Sequence, residues 1–504
     1  MTILGEFLTV KEMVAIEMNA SYLGVSTQLM MENAGRAIAN EITARFPKGI
    51  KIVAVSGLTG NGGDALTATR HLACMGFNVE SIVLGDPESI TLQNLRVNYN
   101  AIAHMKDSVK LTIIKDSSLI KKIEADVIID GLIGTSLKGP LRPPFLQMVQ
   151  AINRAQAYCI SVDIPTGMEA ETGKIHGDVV KADLTLTFHK PKMGYKLNPQ
   201  ATKKLITTSI GIPPEAEHFI GPGDVYMLNP DRSPDSHKGM WGSLLIVGGS
   251  ETYSGAPALS SLAAYRMGLD IVYTAVPETA AGAVASTSPS MITVKLKGDK
   301  LSLKNLNQIE TVLEKVTAVA VGPGLGTALD TVEAVGKLLE MVNEKGIPLV
   351  LDADGLKAYA NNPIKLRTPR VFTPHSGEYS LLTGKTAKGN HLKKGAIVQK
   401  EAKKRGSVIL LKGNVDIISD GKYTRYNWTG NPGMTVGGTG DILTGIVGAY
   451  LAQGAAPFYA AGAAAFINGK AGDCAADKIG YHLMPEDLLN KIPAVIMECL
   501  SYRA

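Results

Sequence analysis

Between residue 50 and about residue 210 the chain alternates short apolar runs with stretches of helical length. "KIVAVSG", "VESIVLG", "KLTII", "DVIIDGLIG", "YCISVDIPTG" and "DLTLTFH" are Val/Ile-type runs bounded by Gly, Asp or other polar residues. Such runs predict strands buried on both faces, as a parallel sheet covered by helices requires. Upstream, "MMENAGRAIANEITARF" has helical spacing, so the first 45 or so residues are expected to be helical. The Pro- and Gly-rich stretch "IGIPPEAEHFIGPGD" (210–224) has no clear periodicity and reads as a linker. A second series follows: "GSLLIVGGS", "LDIVYTAVPE", "MITVKL", "AVAVGPGLG", "PLVLDADGL", "RVFTPHSGE" and "SVILLKGNVDIIS". From Asp441 onward the chain reads as long, helical and rich in small residues. The fold class expected is α/β in two unlike domains, 1–215 and 225–504, with no short-period repeat.

Composition agrees with that division. A chain of 504 residues exceeds what one hydrophobic core organises, and 45% hydrophobic with 19% charged residues is ordinary for globular proteins. The formal charge of +5 has no concentrated basic block, and aromatics are sparse at 5%, so no nucleic-acid partner is expected. Four cysteines (Cys74, Cys159, Cys474, Cys499) form no CxxC pair and suit reduced thiols. The N-terminus lacks signal-peptide character, and the apolar region Ile442 to Ile467 is broken by Gly, Gln and Pro. No membrane association is expected, and a cytoplasmic location is.

Polar residues collect after strand ends, where open α/β sheets form their ligand crevice: Asn61 and Asp64, then Asp130, then Asp163. "SGLTGNGGDALTATRHL" (56–72) resembles a phosphate turn but has neither the P-loop Lys-Ser/Thr nor the three-glycine Rossmann spacing. "GGTGD" (437–441) precedes a helix expected to begin near Ile442. Its glycines allow N–H groups to converge on an anion, and Asp441 beside them can accept a proton from an attacking hydroxyl. "LLKGNVDII" puts Lys412, Gly413, Asn414 and Asp416 just after a strand, where a nucleotide could be held. Asp352 and Asp354 read either as metal-binding groups or as solvent-facing strand-end carboxylates. His375 reads as a ligand-site residue or as a histidine hydrogen-bonded in a loop.

The GxGD chemistry resembles that of the ribokinase-like superfamily. More closely, residues 235 to 500 resemble the ADP/ATP-dependent NAD(P)H-hydrate dehydratase family, through "GGSETYSGAPALSS", "VGPGLG", "LDADGL", "TPHSGE", "KGNVD" and "NPGMTVGGTGDILTGIVGAYLAQG". The resemblance implies that Asp441 deprotonates the C6 hydroxyl of a hydrated nicotinamide, which attacks the terminal phosphate of ADP or ATP. Expulsion of phosphate by the ring nitrogen then restores NAD(P)H. It further implies that Lys412, Gly413, Asn414, Val415 and Asp416, with Gly438, Thr439 and Gly440, bind the nucleotide. Ala256, Gly324, Gly326, His375 and Asp441 would line the hydrate site, with Mg2+ on the phosphates.

Residues 1 to about 215 resemble the NAD(P)H-hydrate epimerase domain of the same repair systems, through "LMMENAGRA", "GNGGD", "DVIIDGLIGTSLKGPLRPPF", "SVDIPTG" and "TLTFHKPKMGY". The resemblance implies a Rossmann-like α/β/α sandwich here and a ribokinase-like α/β/α domain after it. Gly60, Asn61, Gly62, Gly63 and Asp64 would bind the hydrate, as would Gly134, Thr135, Ser136, Leu137, Lys138, Gly139 and Pro140. Asn61, Asp130 and Thr166 would offer oxygens to K+, and Asp163 would shuttle a proton at the C6 hydroxyl. A homo-oligomer is also implied. The loop departs from the family's GxGNNGGDG: Thr59 replaces a glycine, Gly60 an asparagine and Ala65 the last glycine. Two other readings stand beside this one: a ribokinase-like vitamin-precursor kinase, and a dehydratase whose N-terminal domain binds without catalysing.

Overall fold

The structure, a computed structural model, describes residues 5–502. The chain divides into two compact units, the first closing at Ala216 and the second running Glu217–Tyr502. The stretch expected as linker is not irregular throughout, since it holds short helices at Glu215–His218 and Pro222–Leu228. Among the described residues, no helix is long and apolar enough to cross a membrane.

The first unit opens with helices α1 (Val10–Tyr22) and α2 (Thr27–Arg45). Its strands are β1 (Lys51–Ser56), β2 (Asn78–Leu84), β3 (Val109–Ile114), β4 (Val127–Gly131), β5 (Tyr158–Val162), β6 (Leu184–Phe188) and β7 (Leu205–Thr208). They form one parallel sheet in the order β3-β2-β1-β4-β5-β6-β7. Alternation along β1 shows why its sequence is continuously apolar. Ile52 and Ala54 enter one core with Ile38, Ile42 and Ile160, while Val53 and Val55 enter the opposite one with Ile128, Met148 and Ile152. β3 departs from the expectation of burial on both faces: it is an edge strand, with Lys110 and Ile113 exposed. The order reverses between β1 and β4, so the crevice lies beyond their carboxyl ends. Helix α3 (Gly60–Cys74) starts there, and "GNGGD" is therefore its first turn rather than a free loop.

The second unit contains β8 (Ser243–Val247), β9 (Ile271–Pro277), β10 (Ile292–Leu296), β11 (Ala318–Val321), β12 (Leu349–Leu351), β13 (Arg370–Phe372), β14 (Val408–Leu411), β15 (Asp416–Ser419) and β16 (Thr424–Asn427). Their order is β10-β9-β8-β11-β12-β13-β14-β15-β16, parallel through β14 and antiparallel beyond it. "SVILLKGNVDIIS" is thus a hairpin of two strands, with "KGNV" as its turn. Here the order reverses between β8 and β11. Small residues in the helix Thr439–Ala452 let it lie against the helix Gly255–Arg266. A Cβ on Gly445 would stand 2.1 Å from the Ser260 carbonyl oxygen, and one on Gly448 2.9 Å from Leu244.

Candidate functional site

Each reversal point gathers one cluster of polar groups. In the first unit, Asp130 on β4 is wholly buried, and its carboxylate receives only neutral donors. Ser161 Oγ (2.7 Å) and Thr166 N (2.9 Å) donate to one oxygen, Thr166 Oγ1 (2.6 Å) and Leu132 N (3.3 Å) to the other. Burial raises its pKa against these hydrogen bonds. Asn61, in the first turn of α3, donates Nδ2 to the Val162 carbonyl at 2.5 Å. Gly134 crosses its amide so closely that a Cβ there would lie 2.0 Å from Asn61 Oδ1. Thr166 is itself hydrogen-bonded to Asp130, and a Cβ on Gly131 would stand 2.7 Å from the Asn61 carbonyl oxygen, so the start of α3 passes beside the strand end that carries Asp130. A buried carboxylate with neutral partners and hard oxygens beside it fits a monovalent cation. Among the described residues there is no group of three or more His, Cys, Asp or Glu that could hold a metal ion.

Asp163 follows β5 with φ +58°, a left-handed conformation uncommon outside glycine. Its environment holds it there. Oδ1 accepts from Thr187 Oγ1 (2.8 Å), Phe188 N (3.0 Å) and Lys192 Nζ (2.5 Å), and its carbonyl accepts from Tyr195 OH (2.8 Å). Lys192 is 1% exposed. It was not singled out in the sequence, although it sits in "TLTFHKPKMGY"; the available signal was a lysine just past the strand that neighbours β5. Burial, and then the charges of Asp163 and Glu17, push Asp64 well above the usual carboxylate range. Glu17 of α1, also not singled out, is raised to about 7, mainly by burial.

The glycines of the α3 turn have separate reasons. A Cβ on Gly62 would meet the Gly57 oxygen at 1.9 Å and one on Gly63 would meet Met31 at 2.4 Å, whereas Gly60 faces open space. Ala65 is fully buried, and a Cβ on Gly131 would stand 2.5 Å from its methyl, so this departure from the family loop lies in the core. Thr59 is the N-cap of α3 without a side-chain capping bond. In the second loop Gly134 is buried, while Ser136, Lys138 and Pro140 are exposed and Thr135, Leu137 and Gly139 are half-buried. Gly139 N anchors that loop to Glu169 Oε1 at 2.9 Å.

In the second unit, the loops after β8 and β11 bring Ala256 and Gly324 together: a Cβ on Gly324 would lie 3.3 Å from the Ala256 methyl. Gly324 and Gly326 adopt φ +69° and +75°, and Gly326 N donates to Asp354 Oδ2 at 2.8 Å. Asp354 also pairs with Lys357 at 2.9 Å. His375 caps the helix Ser376–Thr383, its Nδ1 accepting from Gly377 N (3.0 Å) and Glu378 N (3.3 Å). Asp352 is not solvent-facing as one reading expected. It is 1% exposed, paired with Lys412 Nζ at 2.8 Å and bonded by Thr444 Oγ1 at 2.7 Å. Burial opposes its ionised form, yet Lys412 and these bonds hold its pKa below the ordinary value.

The helix expected near Ile442 begins at Thr439, because Gly438 at φ +108° makes the turn one residue before it. Asp441 therefore lies in the helix's first turn, where unpaired N–H groups and the dipole favour an anion. Lys412 Nζ is 3.4 Å from where a Cβ on Gly440 would stand. Burial, then the charge of Asp352, raise Asp441 to about 7 against the opposing pull of Lys412. Thr439 Oγ1 donates to the Met434 carbonyl at 2.9 Å. In the hairpin turn Gly413 N donates to Asp416 Oδ1 (3.0 Å), Asn427 Nδ2 donates to Asp416 Oδ2 (3.0 Å), and burial lifts Asp416 to about 6. Asn414 is exposed and Val415 half-buried. A cavity of about 170 Å³ opens beside Lys412, Gly413 and Val415, closed by Tyr379 and Ile417. A base poised near neutrality, a cation and a helix N-terminus together suit transfer of a phosphoryl group to a hydroxyl.

Similarity to known proteins follows the same division. Residues 27–194 match the family described as YjeF-related protein N-terminus, and residues 244–494 match the NAD(P)H-hydrate dehydratase family. The chain is 42% identical over 499 residues to the bifunctional NAD(P)H-hydrate repair enzyme of Hyperthermus butylicus, covering 98% of this chain and 93% of that protein. The ADP/ATP-dependent NAD(P)H-hydrate dehydratase from Bacillus subtilis, co-crystallised with ATP/Mg2+, is 27% identical at a TM-score of 0.50, across 56% of this chain and 98% of that one. A ribokinase-like superfamily protein from Enterococcus faecalis shares the fold at a TM-score of 0.51 and 23% identity, across 56% of this chain and 96% of its own. Matched in both halves and over nearly its whole length, the chain belongs to the bifunctional NAD(P)H-hydrate repair enzymes.

Proposed function

We propose that the second unit repairs hydrated NAD(P)H with Asp441 as general base and that the first interconverts the hydrate epimers with Asp163 as proton carrier. The activities are those of the family: epimerisation of R- and S-NAD(P)H hydrates, and nucleotide-driven dehydration of the S form to NAD(P)H. The observation that carries the residue assignment is the position of Asp441, a carboxyl near pKa 7 in a helix's first turn, beside Lys412. Asp441 accepts the proton of the C6 hydroxyl as its oxygen attacks the terminal phosphorus of ADP or ATP and the bond to the departing AMP or ADP breaks. The ring nitrogen then expels phosphate from C6, and loss of a C5 proton to water restores the ring double bond of NAD(P)H. The helix N-terminus and Lys412 hold the phosphoryl oxygens. "KGNVD" and the adjoining cavity receive the nucleotide, while Ala256, Gly324, Gly326 and His375 border the hydrate.

Mg2+ would supply charge neutralisation on the phosphates, and Asp352 and Asp354 are already engaged by Lys412 and by Gly326 and Lys357. In the first unit Asn61, Asp130 and Thr166 would hold K+, whose charge would offset the buried carboxylate. Gly60 to Asp64 and Gly134 to Pro140 would grip the hydrate around Asp163. The Asp163–Lys192 pair supports a catalytic rather than a merely binding first unit. We infer a cytoplasmic homo-oligomer, the location supported by four free cysteines.

The test is incubation with S-NADH hydrate and each nucleotide in turn, following reduced-nicotinamide absorbance and released phosphate. NADH and phosphate should appear in equal amounts. A phosphorylated product that accumulates without NADH would favour the vitamin-kinase reading and overturn this one.

A further inference from the structure

An enzyme that inverts C6 by losing and regaining a hydroxyl must handle a proton on both faces of the ring, and one strand-end aspartate reaches one face. The first unit contains a second candidate. The segment before α1 is clipped to the segment carrying Lys192: Leu8 N donates to the Pro191 carbonyl (2.9 Å), and Met193 N donates to the Leu8 carbonyl (2.8 Å). A capping box between Thr9 and Glu12 starts the helix at that clip, and Asn19 Nδ2 fastens its far end to the Ala216 carbonyl at 3.1 Å. Glu17 lies on its inward side, between buried Met13 and Ala20 one turn either way. It is close enough to feel the charges of Lys192 and Asp163, as Asp64 of α3 feels those of all three. An acid set between apolar Met13, Ile16 and Ala20, and brought toward Asp163 in its left-handed conformation and its partner Lys192, adds nothing to the packing of that helix.

We propose that Glu17 is the second proton-handling group of the epimerase site, acting opposite Asp163. The inference rests on the reading of Asp163 given above. In one direction Glu17 gives its proton to the C6 hydroxyl, and the C6–O bond breaks with its electron pair leaving in water. The ring nitrogen lone pair forms a C=N bond to C6. Water then adds to the other face, its lone pair forming the new C6–O bond and the C=N pair returning to nitrogen. Asp163 takes the released proton, exchange with solvent water returns Glu17 to its acid and Asp163 to its ionised form, and the reverse reaction exchanges the two roles. The saturated Oδ1 of Asp163 leaves Oδ2 for this work. Environments that separate the acids support the division. Asp163 is tied to a buried lysine, Glu17 is raised to about 7 mainly by burial, and burial also pushes Asp64 well above the usual carboxylate range.

The test follows conversion of purified R-NADH hydrate to S by chiral chromatography, using the full chain without nucleotide. Glu17→Gln should lower kcat by about 100-fold or more with KM within about threefold, and Glu17→Asp should restore at least a tenth of the parent kcat. In the parent, kcat should fall as pH rises through about 7, and this limb should vanish in Glu17→Gln. A Glu17→Gln enzyme within threefold of the parent, beside an inactive Asp163→Asn, overturns the proposal alone. An Asp163→Asn enzyme at the parent rate overturns the Asp163 reading first and this inference with it. Should Glu17→Gln not fold, a Glu17→Asp enzyme with the parent's kcat and an unmoved alkaline limb also refutes it.

Discussion

Exchanging Asp441 for asparagine should stabilise the second unit above neutral pH while removing its dehydratase activity. The carboxyl is lifted from 3.8 to about 7, first by burial and then by Asp352. A shift of about three units at about 1.4 kcal/mol each corresponds to about 4 kcal/mol, a ceiling for a partly exposed group. The sign follows from proton counts. Between pH 3.8 and 7 the folded state binds the proton that the unfolded state has lost, so unfolding becomes easier as pH rises across that window. Above pH 7 the whole cost is present. An uncharged asparagine escapes it, gaining about 2 kcal/mol at pH 5 and up to about 4 kcal/mol at pH 8. The chain's two tryptophans, Trp241 and Trp428, both belong to the second unit, so their fluorescence in urea reports on it. Activity should fall by about 100-fold to 10,000-fold in the same variant. Equal stability gains at pH 5 and pH 8, or a loss at pH 8, would refute the account of a strained, functional carboxyl.

Gly134→Ala should abolish epimerisation and spare dehydration of the S hydrate, since its Cβ would stand 2.0 Å from Asn61 Oδ1; assaying both reactions on one preparation checks it. Lys192→Met leaves Asp163 buried without its cation and should cost about 3–5 kcal/mol, read as an earlier circular-dichroism transition of the first unit. Replacing K+ by a bulky organic cation at constant ionic strength should slow epimerisation and leave dehydration unchanged. Gly322→Ala should disrupt the second site, because at φ +139° its Cβ would lie 1.8 Å from the Asp352 carbonyl oxygen; loss of dehydratase activity is the readout.

Strands carrying continuous Val and Ile could be read directly, since burial on both faces leaves no room for polar positions. The polar edge strands β7, "LITT", and β16, "TRYN", could not. Arg425 of β16 is buried only because Asp224 pairs with it, a partnership 201 residues apart in sequence. The start of the helix at Thr439 was placed three residues late because glycines read as loop, while only Gly438 needs a left-handed turn. Asp441, Lys412 and Asp163 lie in recognisable motifs. The partners that set their chemistry, Asp352 for Lys412 and Lys192 for Asp163, depend on which strand ends the sheet order makes neighbours. Glu17 is more remote still, an acid between apolar positions of α1 until the fold brings that helix beside the segment carrying Lys192.

The most direct measurement supplies pure R-NADH hydrate to the full chain with adenine nucleotide and follows NADH and phosphate together. The account predicts complete conversion, one phosphate per NADH, and a halt at the R epimer in Asp163→Asn even though that variant still repairs S-NADH hydrate. R hydrate consumed by the parent no faster than in buffer, or by Asp163→Asn as fast as by the parent, would contradict it.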